Sequence, residues 1–397
     1  MKKLLLWLVI LGAAGRIAAA VFYRAVPLST GGDDVVYFEA GLNSAEGKGL
    51  TFLGRPLNWR GPLYPQFISA AARLGAKKPG DIRLVQAVLS CLVLAGVYYA
   101  GKAAFSPMAG LCAAALLAAN PEQILLPTSL YSEFFYGAVL LAFAAAFVRW
   151  AKAPSPGRAA LAGGTLGLCL SCKSFLALFP LVWLVFLIRR NLPGKRLSQA
   201  AAFAAAMAAL LAVESSPKRG LPFERGISGP VLWYASLGMI TTPQDETELE
   251  PFRTVSRVFP HEKWDGLLYP LAASNIAENP RRYAVSCAKR AWYLFSESYT
   301  CYLLYYHPAL RNFALRNWEK IRRAGTVFFA GLVFLAALGV LRHSATARPL
   351  AALGLYFGLY VFFAAFARFL SPAVPVITLL AGAGLAGLIK DDNQSQP

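Results

Sequence analysis

Charge is scarce in this chain. Asp, Glu, Lys and Arg make up only 15% of its 397 residues, while 57% are hydrophobic. A soluble protein of this length has no core able to hide that much apolar surface, so a soluble globular fold is excluded. Histidine is rarer still: His261, His307 and His343 stand alone, with no metal-ligand spacing, and none is assigned a role. Six cysteines form no disulfide framework. Cys91, Cys112, Cys169 and Cys172 sit in or at the ends of apolar runs, where a thiol is a small hydrophobe. Cys169-x-x-Cys172 resembles half of a redox or zinc site, but no second pair completes it. Cys287 and Cys301 would lie roughly 21 Å apart on one helix, too far to bond. No Walker loop or dinucleotide fingerprint is present, which argues against a nucleotide-driven pump. Internal repeats and low-complexity tracts are also missing.

What the chain has in abundance is long apolar runs. The clearest are 4–23, 82–101, 133–148, 174–188, 197–213, 324–341, 349–366 and 369–389, with shorter ones at 107–120 and 159–172. These match the length that a bilayer crossing demands and predict an all-α integral membrane protein with ten transmembrane helices. The first run has the basic start of a secretory leader. Aromatic and basic residues stand where a small-residue cleavage site would lie, so it is expected to remain as an uncleaved span.

The net charge of +19 could suggest nucleic acid, but its distribution points elsewhere. With Met1 inside, ten crossings place the N-terminus, 102, 149–158, 189–196, 342–348 and the tail in the cytoplasm. Those places hold 13 Lys or Arg against two acids, Asp391 and Asp392. This is the asymmetry that orients membrane helices. No nucleic-acid motif accompanies it, and no nucleic-acid partner is expected. Arg311, Arg316, Lys320, Arg322 and Arg323 fall outside in this scheme. If 288–306 crossed as well, the cluster would be inside and the count eleven. That stretch holds Ser296, Glu297, Ser298 and Thr300 among Tyr and Trp, a composition that suits a helix lying in the interface.

Two stretches are too polar to cross. Residues 24–81 carry Asp33, Asp34, Glu39, Glu46, Arg55 and Arg60 around a Gly/Pro-rich centre; residues 214–323 carry 15 basic and 11 acidic side chains. The expected organisation is an N-terminal transmembrane catalytic module (1–213) including the outer loop 24–81, an extracytoplasmic helical cap (214–323), and C-terminal transmembrane helices with a tail (324–397). Within the cap, Gly220 to Gly229 and Thr241 to Glu250 read as turns and an acidic surface segment, and a helix is expected from Asn279-Pro280 through Trp292.

Candidate chemistry gathers at the outer ends of these runs. A helix is expected to start near Asp33 or Asp34, because acids suit a first turn, with Tyr37 one turn on from Asp33. Adjacent acids at a helix start are often only caps. Asp33, however, follows a membrane helix closely, at the depth of a lipid headgroup. Across the loop, Arg55 and Arg60 precede the rigid turn Gly61-Pro62-Leu63-Tyr64-Pro65. A carboxylate and a cation at that depth suit a phospholipid-linked substrate, the cation holding phosphate and the carboxylate a hydroxyl. Glu133 begins one span, Lys173 lies between two others, and Arg368 starts the last. Ionisable groups at membrane depth are costly, although snorkelling at a helix end is cheap. All of them fall on one face.

These residues carry a family resemblance. The chain resembles the GT-C-fold glycosyltransferases that use polyprenyl-phosphate sugars, including bacterial relatives of the protein O-mannosyltransferases and the lipid A aminoarabinose transferases. The marks are Asp33-Asp34-Val35-Val36-Tyr37, Arg60-Gly61-Pro62-Leu63-Tyr64-Pro65, Asn120-Pro121, Ser132-Glu133, CLSCKSFLALFP around Lys173, Asn279-Pro280, and ARFLSPAVP containing Arg368. The pair is Asp-Asp where Asp-Glu is usual, and Phe369 stands where Tyr is commoner. The resemblance implies a GT-C-like fold with Asp33 catalytic and Arg60 and Lys173 at the donor phosphate. Glu133 is implied as a second acid. Asp34 joins Asp33 as a catalytic candidate, and Tyr37, Tyr64 and Arg368 join the substrate-binding set.

The implied activity is inverting transfer of a sugar from a polyprenyl-phosphate donor to a protein, lipid or glycan acceptor. It is expected on the extracytoplasmic face of the plasma (inner) membrane, among membrane lipids. The resemblance names no certain cofactor; a divalent cation stays open. Such a leaving group needs no general acid, so one base suffices. Two other readings remain: a lipid or polysaccharide transporter or flippase, and a non-catalytic partner in a membrane assembly. The first wants charges at mid-bilayer and matching halves, which this sequence lacks.

Overall fold

The apolar runs fold as helices. The computed structural model describes residues 2–29, 32–189, 195–214, 228–239, 263–363 and 367–394. From the N-terminus, α1 (Lys2–Phe22) leads to an outer loop that holds α2 (Asp33–Ala45), a two-stranded hairpin pairing Thr51 with Pro56 and Phe52 with Arg55, and α3 (Leu63–Arg73). Then come α4 (Pro79–Ala104), α5 (Pro107–Ala119), α6 (Pro121–Leu125), α7 (Ser132–Lys152), α8 (Pro156–Cys172), α9 (Phe179–Arg189) and α10 (Arg196–Glu214). Residues 214–323 contribute α11 (Ser228–Ser236), α12 (Trp264–Glu278), α13 (Pro280–Ser296) and α14 (Tyr299–Tyr306). The chain closes with α15 (Arg311–Arg342), α16 (Ser344–Tyr356) and α17 (Val374–Gln394).

Each of the ten expected segments is helical where described, but they are not equivalent. Among the described residues, six helices are long and apolar enough to cross a bilayer alone, and a seventh span arises if the pair 107–119 and 121–128, bent by 72°, counts as one. The bend has a local cause. Pro121 cannot continue the ladder of α5, and the Asn120 side chain accepts from the backbone N–H groups of Glu122 and Gln123, starting a new helix there. Ser174–Arg189 and Arg196–Ala212 are apolar but shorter. The stretch 288–306 is not one continuous helix: it breaks between α13 and α14, where Glu297 and Ser298 take extended backbone conformations. The helix begun at Asn279-Pro280 runs through Ser296. Thr241 to Glu250 lies outside the described residues, as does most of 220–229, although a helix has begun by Ser228.

Small residues let the spans approach closely, as helix packing without a hydrophobic drive requires. At the crossing of α15 and α17, a Cβ on Gly339 or Gly384 would strike the backbone of Leu380 or Leu335. Outward faces stay apolar: Leu4, Leu6, Trp7 and Leu11 on α1, and Val327, Phe334 and Leu341 on α15, are exposed. Lipid, not water, suits such belts. The fold is all-α and membrane-integral.

Buried Arg83 pins the outer loop. It donates to the carbonyls of Thr128 (2.8 Å), Tyr23 (2.9 Å) and Val26 (2.5 Å), tying the exit of α1 to α4 and to the turn before α7. That anchorage sets the approach of the chain to α2 and so the position of Asp33.

Candidate active site

Asp33 is the first residue of α2, after Gly32 in extended conformation. Its two carboxylate oxygens face two different arginines. Arg60 Nη2 lies 2.5 Å from Oδ1, and Arg368 Nη2 lies 2.8 Å from Oδ2. Arg368 also brings its Nε to 3.2 Å from Glu133 Oε1, and Lys173 Nζ reaches the same oxygen at 2.9 Å. Five charged side chains from five separate segments thus form one chain of ion pairs: Arg60, Asp33, Arg368, Glu133, Lys173. Three carry positive charge and two negative, leaving a surplus of one cation. The Asp33, Arg60, Arg368 and Lys173 side chains keep 14–20% exposure, whereas Glu133 is 2% exposed. Its second oxygen, Oε2, has no hydrogen-bond partner.

Burial by itself would push the Asp33 carboxyl up. Arg60, Arg368 and Lys173, with the hydrogen bond from Arg368, outweigh it and hold the carboxyl down at about 2. In this state Asp33 is a charged, well-paired and weak base.

Aromatic faces support the cations. The Arg368 guanidinium lies 4.4 Å from the ring of Tyr131, Arg60 lies 4.9 Å from the ring of Trp59, and Lys173 Nζ lies 5.8 Å from that of Phe369. The two turns that carry Arg60 and Lys173 interlock. Gly61 sits so close to the carbonyls of Ser171 and Cys172 that any Cβ there would collide with them. This contact explains the glycine between Arg60 and Pro62, and it fixes Arg60 relative to Lys173. Lys173 itself is the extended residue that ends α8 before the turn Ser174–Leu178.

The remaining sequence candidates separate into supports and outsiders. Asp34 turns away from the ion pairs: its carboxylate accepts from Ser29 N at 2.8 Å and from the Ser29 hydroxyl. It braces the segment entering α2. Tyr64 is fully buried and donates to Gln86 Oε1 at 3.0 Å, and Gln86 in turn bonds the carbonyls of Pro127 and Ser129. Tyr37 packs edge-on against Tyr64, with ring centroids 5.1 Å apart, and takes a hydrogen bond from Ser132 beside Glu133. Both tyrosines form a buried floor. Arg55, paired with Arg60 in the sequence reading, lies in the exposed hairpin and does not join the cluster. Among the described residues no three of His, Cys, Asp and Glu converge as metal ligands. The two clustered acids face protein cations, so the donor set does not form a metal cradle.

Sequence reasoning missed two neighbours of the cluster. Tyr131, beneath Arg368, was visible only as part of the Ser-Leu-Tyr-Ser-Glu string. Glu122 was visible only as the residue after Asn120-Pro121; it accepts from the Ser371 hydroxyl at 2.6 Å, three residues beyond Arg368.

The chain is similar to known proteins in sequence over one stretch and in fold over most of its length. Residues 59–216, which include Arg60, Glu133 and Lys173, match the family model of dolichyl-phosphate-mannose-protein mannosyltransferases. No curated protein sequence matches the chain. One similar solved structure is the archaeal oligosaccharyltransferase AglB from Archaeoglobus fulgidus in complex with an inhibitory peptide and a dolichol-phosphate. It has a TM-score of 0.54 and 12% identity, covering 98% of this chain and 51% of that one. Another is an Archaeoglobus fulgidus oligosaccharyltransferase in complex with Zn and sulfate, with a TM-score of 0.53, 14% identity, and coverage of 98% and 50%. ArnT from Cupriavidus metallidurans bound to undecaprenyl phosphate aligns at a TM-score of 0.44 and 14% identity, covering 97% and 79%. The chain spans about half the length of the two oligosaccharyltransferases. It is similar in sequence to protein mannosyltransferases over its N-terminal part, and it has the GT-C fold of membrane glycosyltransferases throughout.

Proposed function

We propose that this protein is an inverting glycosyltransferase of the plasma membrane. It takes a sugar from a polyprenyl-phosphate donor and passes it to a hydroxyl of a protein, lipid or glycan on the extracytoplasmic face. The observation that carries this reading is the convergence of Arg60, Arg368 and Lys173 on two acids, Asp33 and Glu133. A surplus of cation at headgroup depth is what a lipid phosphate needs. The dolichol-phosphate held by a protein of the same fold supports the donor class.

The chemistry follows from competition for the arginines. The donor's phosphodiester carries one negative charge and offers its oxygens to Arg60, Arg368 and Lys173; as it leaves it grows into a dianion that draws them more strongly than a monovalent carboxylate does. As they turn to the donor, Asp33 loses the partners that hold it down and becomes a better base. The acceptor oxygen then attacks the anomeric carbon while its proton passes to Asp33. The bond from that carbon to the phosphate oxygen breaks with its electron pair, and the three cations stabilise the charge that grows on the leaving phosphate. Backside attack inverts the anomeric centre. Asp34, bound to Ser29, is a positioning residue in this scheme, and Tyr37 and Tyr64 hold the floor.

The test is transfer by purified protein in nanodiscs from a synthetic polyprenyl-phosphate hexose. Release of polyprenyl phosphate should require the acceptor and be lost on Asp33→Asn. Lipid-linked sugars should accumulate in a deletion strain while an envelope glycan disappears. An unchanged glycan profile, together with no release from any donor, would overturn the reading. Passage of intact donor across vesicles would install the flippase instead.

A further inference from the structure

Ser371, three residues beyond Arg368, helps to line a cavity of about 350 Å³. Its walls come from the bend at Asn120, the break at Glu297–Thr300, the first membrane turns of α15, and the start of the last span at Leu370–Val374. Leu294, Phe328 and Phe329 supply apolar surface. Six oxygen-bearing side chains punctuate it: Asn120, Glu122, Glu297, Ser298, Thr300 and Ser371. A largely apolar cavity with a few convergent polar groups is the common form of a small-ligand site.

Two observations say what it takes. Thr300 is only 5% exposed, yet its hydroxyl has no hydrogen-bond partner. A buried hydroxyl left unpaired costs about 1–3 kcal/mol, and a helical Thr normally relieves that by bonding a carbonyl one turn back. Thr300 is the second residue of α14, so no helical carbonyl stands there. The second observation is charge. Glu122 takes a hydrogen bond from Ser371 and has no ion-pair partner among the described residues, and the nearest cation to Glu297 is Arg322 at 3.9 Å. Two under-compensated carboxylates repel phosphate and accept hydroxyl protons. A lipid tail would leave all of these groups unsatisfied.

We propose that this cavity is a carbohydrate subsite for an uncharged or amino-bearing sugar ring. Its hydroxyls bond Glu122, Glu297 and Thr300, and its apolar face lies on the phenylalanines. The inference rests on the glycosyltransferase reading for its purpose but not for its chemistry. Ser371 and Arg368 share one helical turn, so a ring seated here is next to the ion-pair chain. It is either the donor's own sugar or the acceptor's.

The experiment uses the purified full chain in a sugar-free zwitterionic detergent, with methyl hexosides and methyl 2-amino-hexosides as probes and thermal stabilisation as the readout. Wild type should show saturable stabilisation. Thr300→Val keeps shape, breaks no existing bond and removes the unpaired hydroxyl, so its stability without probe should be equal to or above that of wild type while its affinity falls about three- to tenfold. Glu297→Gln, which loses a charged acceptor, should fall by about ten- to a hundredfold. Methyl phosphate should not compete with the probes. Displacement of the hexoside by polyprenyl-phosphate hexose but not by polyprenyl phosphate assigns the cavity to the donor sugar; displacement by neither assigns it to the acceptor. No stabilisation of wild type, or full affinity in both variants, overturns the proposal. Protein that binds hexosides here and transfers no sugar would keep the cavity and refute the transferase reading.

Discussion

Asp33→Asn separates binding from chemistry in a way that few variants can. In the donor-free protein, Asp33 occupies one nitrogen of Arg60 and one of Arg368. Its carboxyl is held at about 2, against an ordinary 3.8. That difference corresponds to about 2.5 kcal/mol of interaction favouring the paired carboxylate. An incoming phosphate must displace this pairing. Asparagine removes the negative charge, so the cluster goes from three cations over two acids to three over one, and the arginines are freer to take phosphate. Donor affinity should therefore rise, by at most about 50-fold, since 1.4 kcal/mol is one decade. The amide oxygen retains part of one bond and trims the gain. Turnover should fall on the order of 10²-fold or more, as expected for a lost general base. The assay pairs donor binding to nanodisc-held protein with single-turnover transfer. Weaker donor binding with intact turnover would refute the reasoning, because Asp33 would then be a scaffold for the arginines rather than their competitor.

Three further outcomes follow from the same geometry. Arg60→Ala should raise the donor KM by roughly ten- to a hundredfold through loss of a charge-assisted contact, and Arg60→Lys should restore only part of it because an ammonium cannot reproduce the planar fork; equal KM in all three proteins would make Arg60 a mere anchor. A depressed carboxyl gives its pairing stability above its unfolded value, here 3.8, and loses it as pH falls through about 2. Since kcat/KM reports free enzyme and kcat the complex, the acid limb of kcat should lie at higher pH than that of kcat/KM, and coincident limbs would deny any release of Asp33 by donor. Gly61→Ala forces a Cβ into the Cys172 carbonyl, and should cost about 1–3 kcal/mol of thermal stability together with much of the turnover; a silent variant would mean that the Arg60 and Lys173 turns are not interlocked.

The membership of the cluster was legible in the sequence, but its pairing was not. Arg60, Glu133, Lys173 and Arg368 announce themselves because a charge at the end of an apolar run is costly and needs a reason. Asp33 and Arg368, however, are 335 residues apart. Nothing in spacing or periodicity says that one arginine will sit between Asp33 and Glu133, because that contact depends on how α7 packs against the start of the last span. The helix start at Asp33 came from first-turn chemistry, and so did the divergence of Asp33 from Asp34 by about 100° per residue. The donor to Asp34 did not: Ser29 looked like ordinary linker until the pinned backbone at Arg83 brought it round. Arg55 misled for the converse reason. Its charge and proximity to Arg60 are real in sequence, but four of the intervening and flanking residues close a hairpin that points it to solvent. Hydropathy is blind to local breaks for the same reason. Hydropathy averages over 107–120 and 288–306, whereas Pro121 and the extended pair Glu297–Ser298 bend or break the chain one residue at a time.

The charge count of the cluster explains why both acids are present at all. Three cations alone at this depth would be expensive to leave uncompensated before donor arrives. Two acids offset them and keep the turns of Arg60, Lys173 and Arg368 aligned. The acids are not equivalent, because Glu133 is nearly inaccessible and shares one oxygen between Lys173 and Arg368, while Asp33 is a fifth exposed. In the transfer proposed above, the accessible acid gives way to the donor phosphate and the buried one stays. Glu133→Gln should therefore harm resting stability more than Asp33→Asn does, by about 1–3 kcal/mol, since it strips Lys173 of its buried partner. Comparing the two variants' unfolding midpoints without donor measures that asymmetry directly, and equal midpoints would remove the division of labour between the two acids.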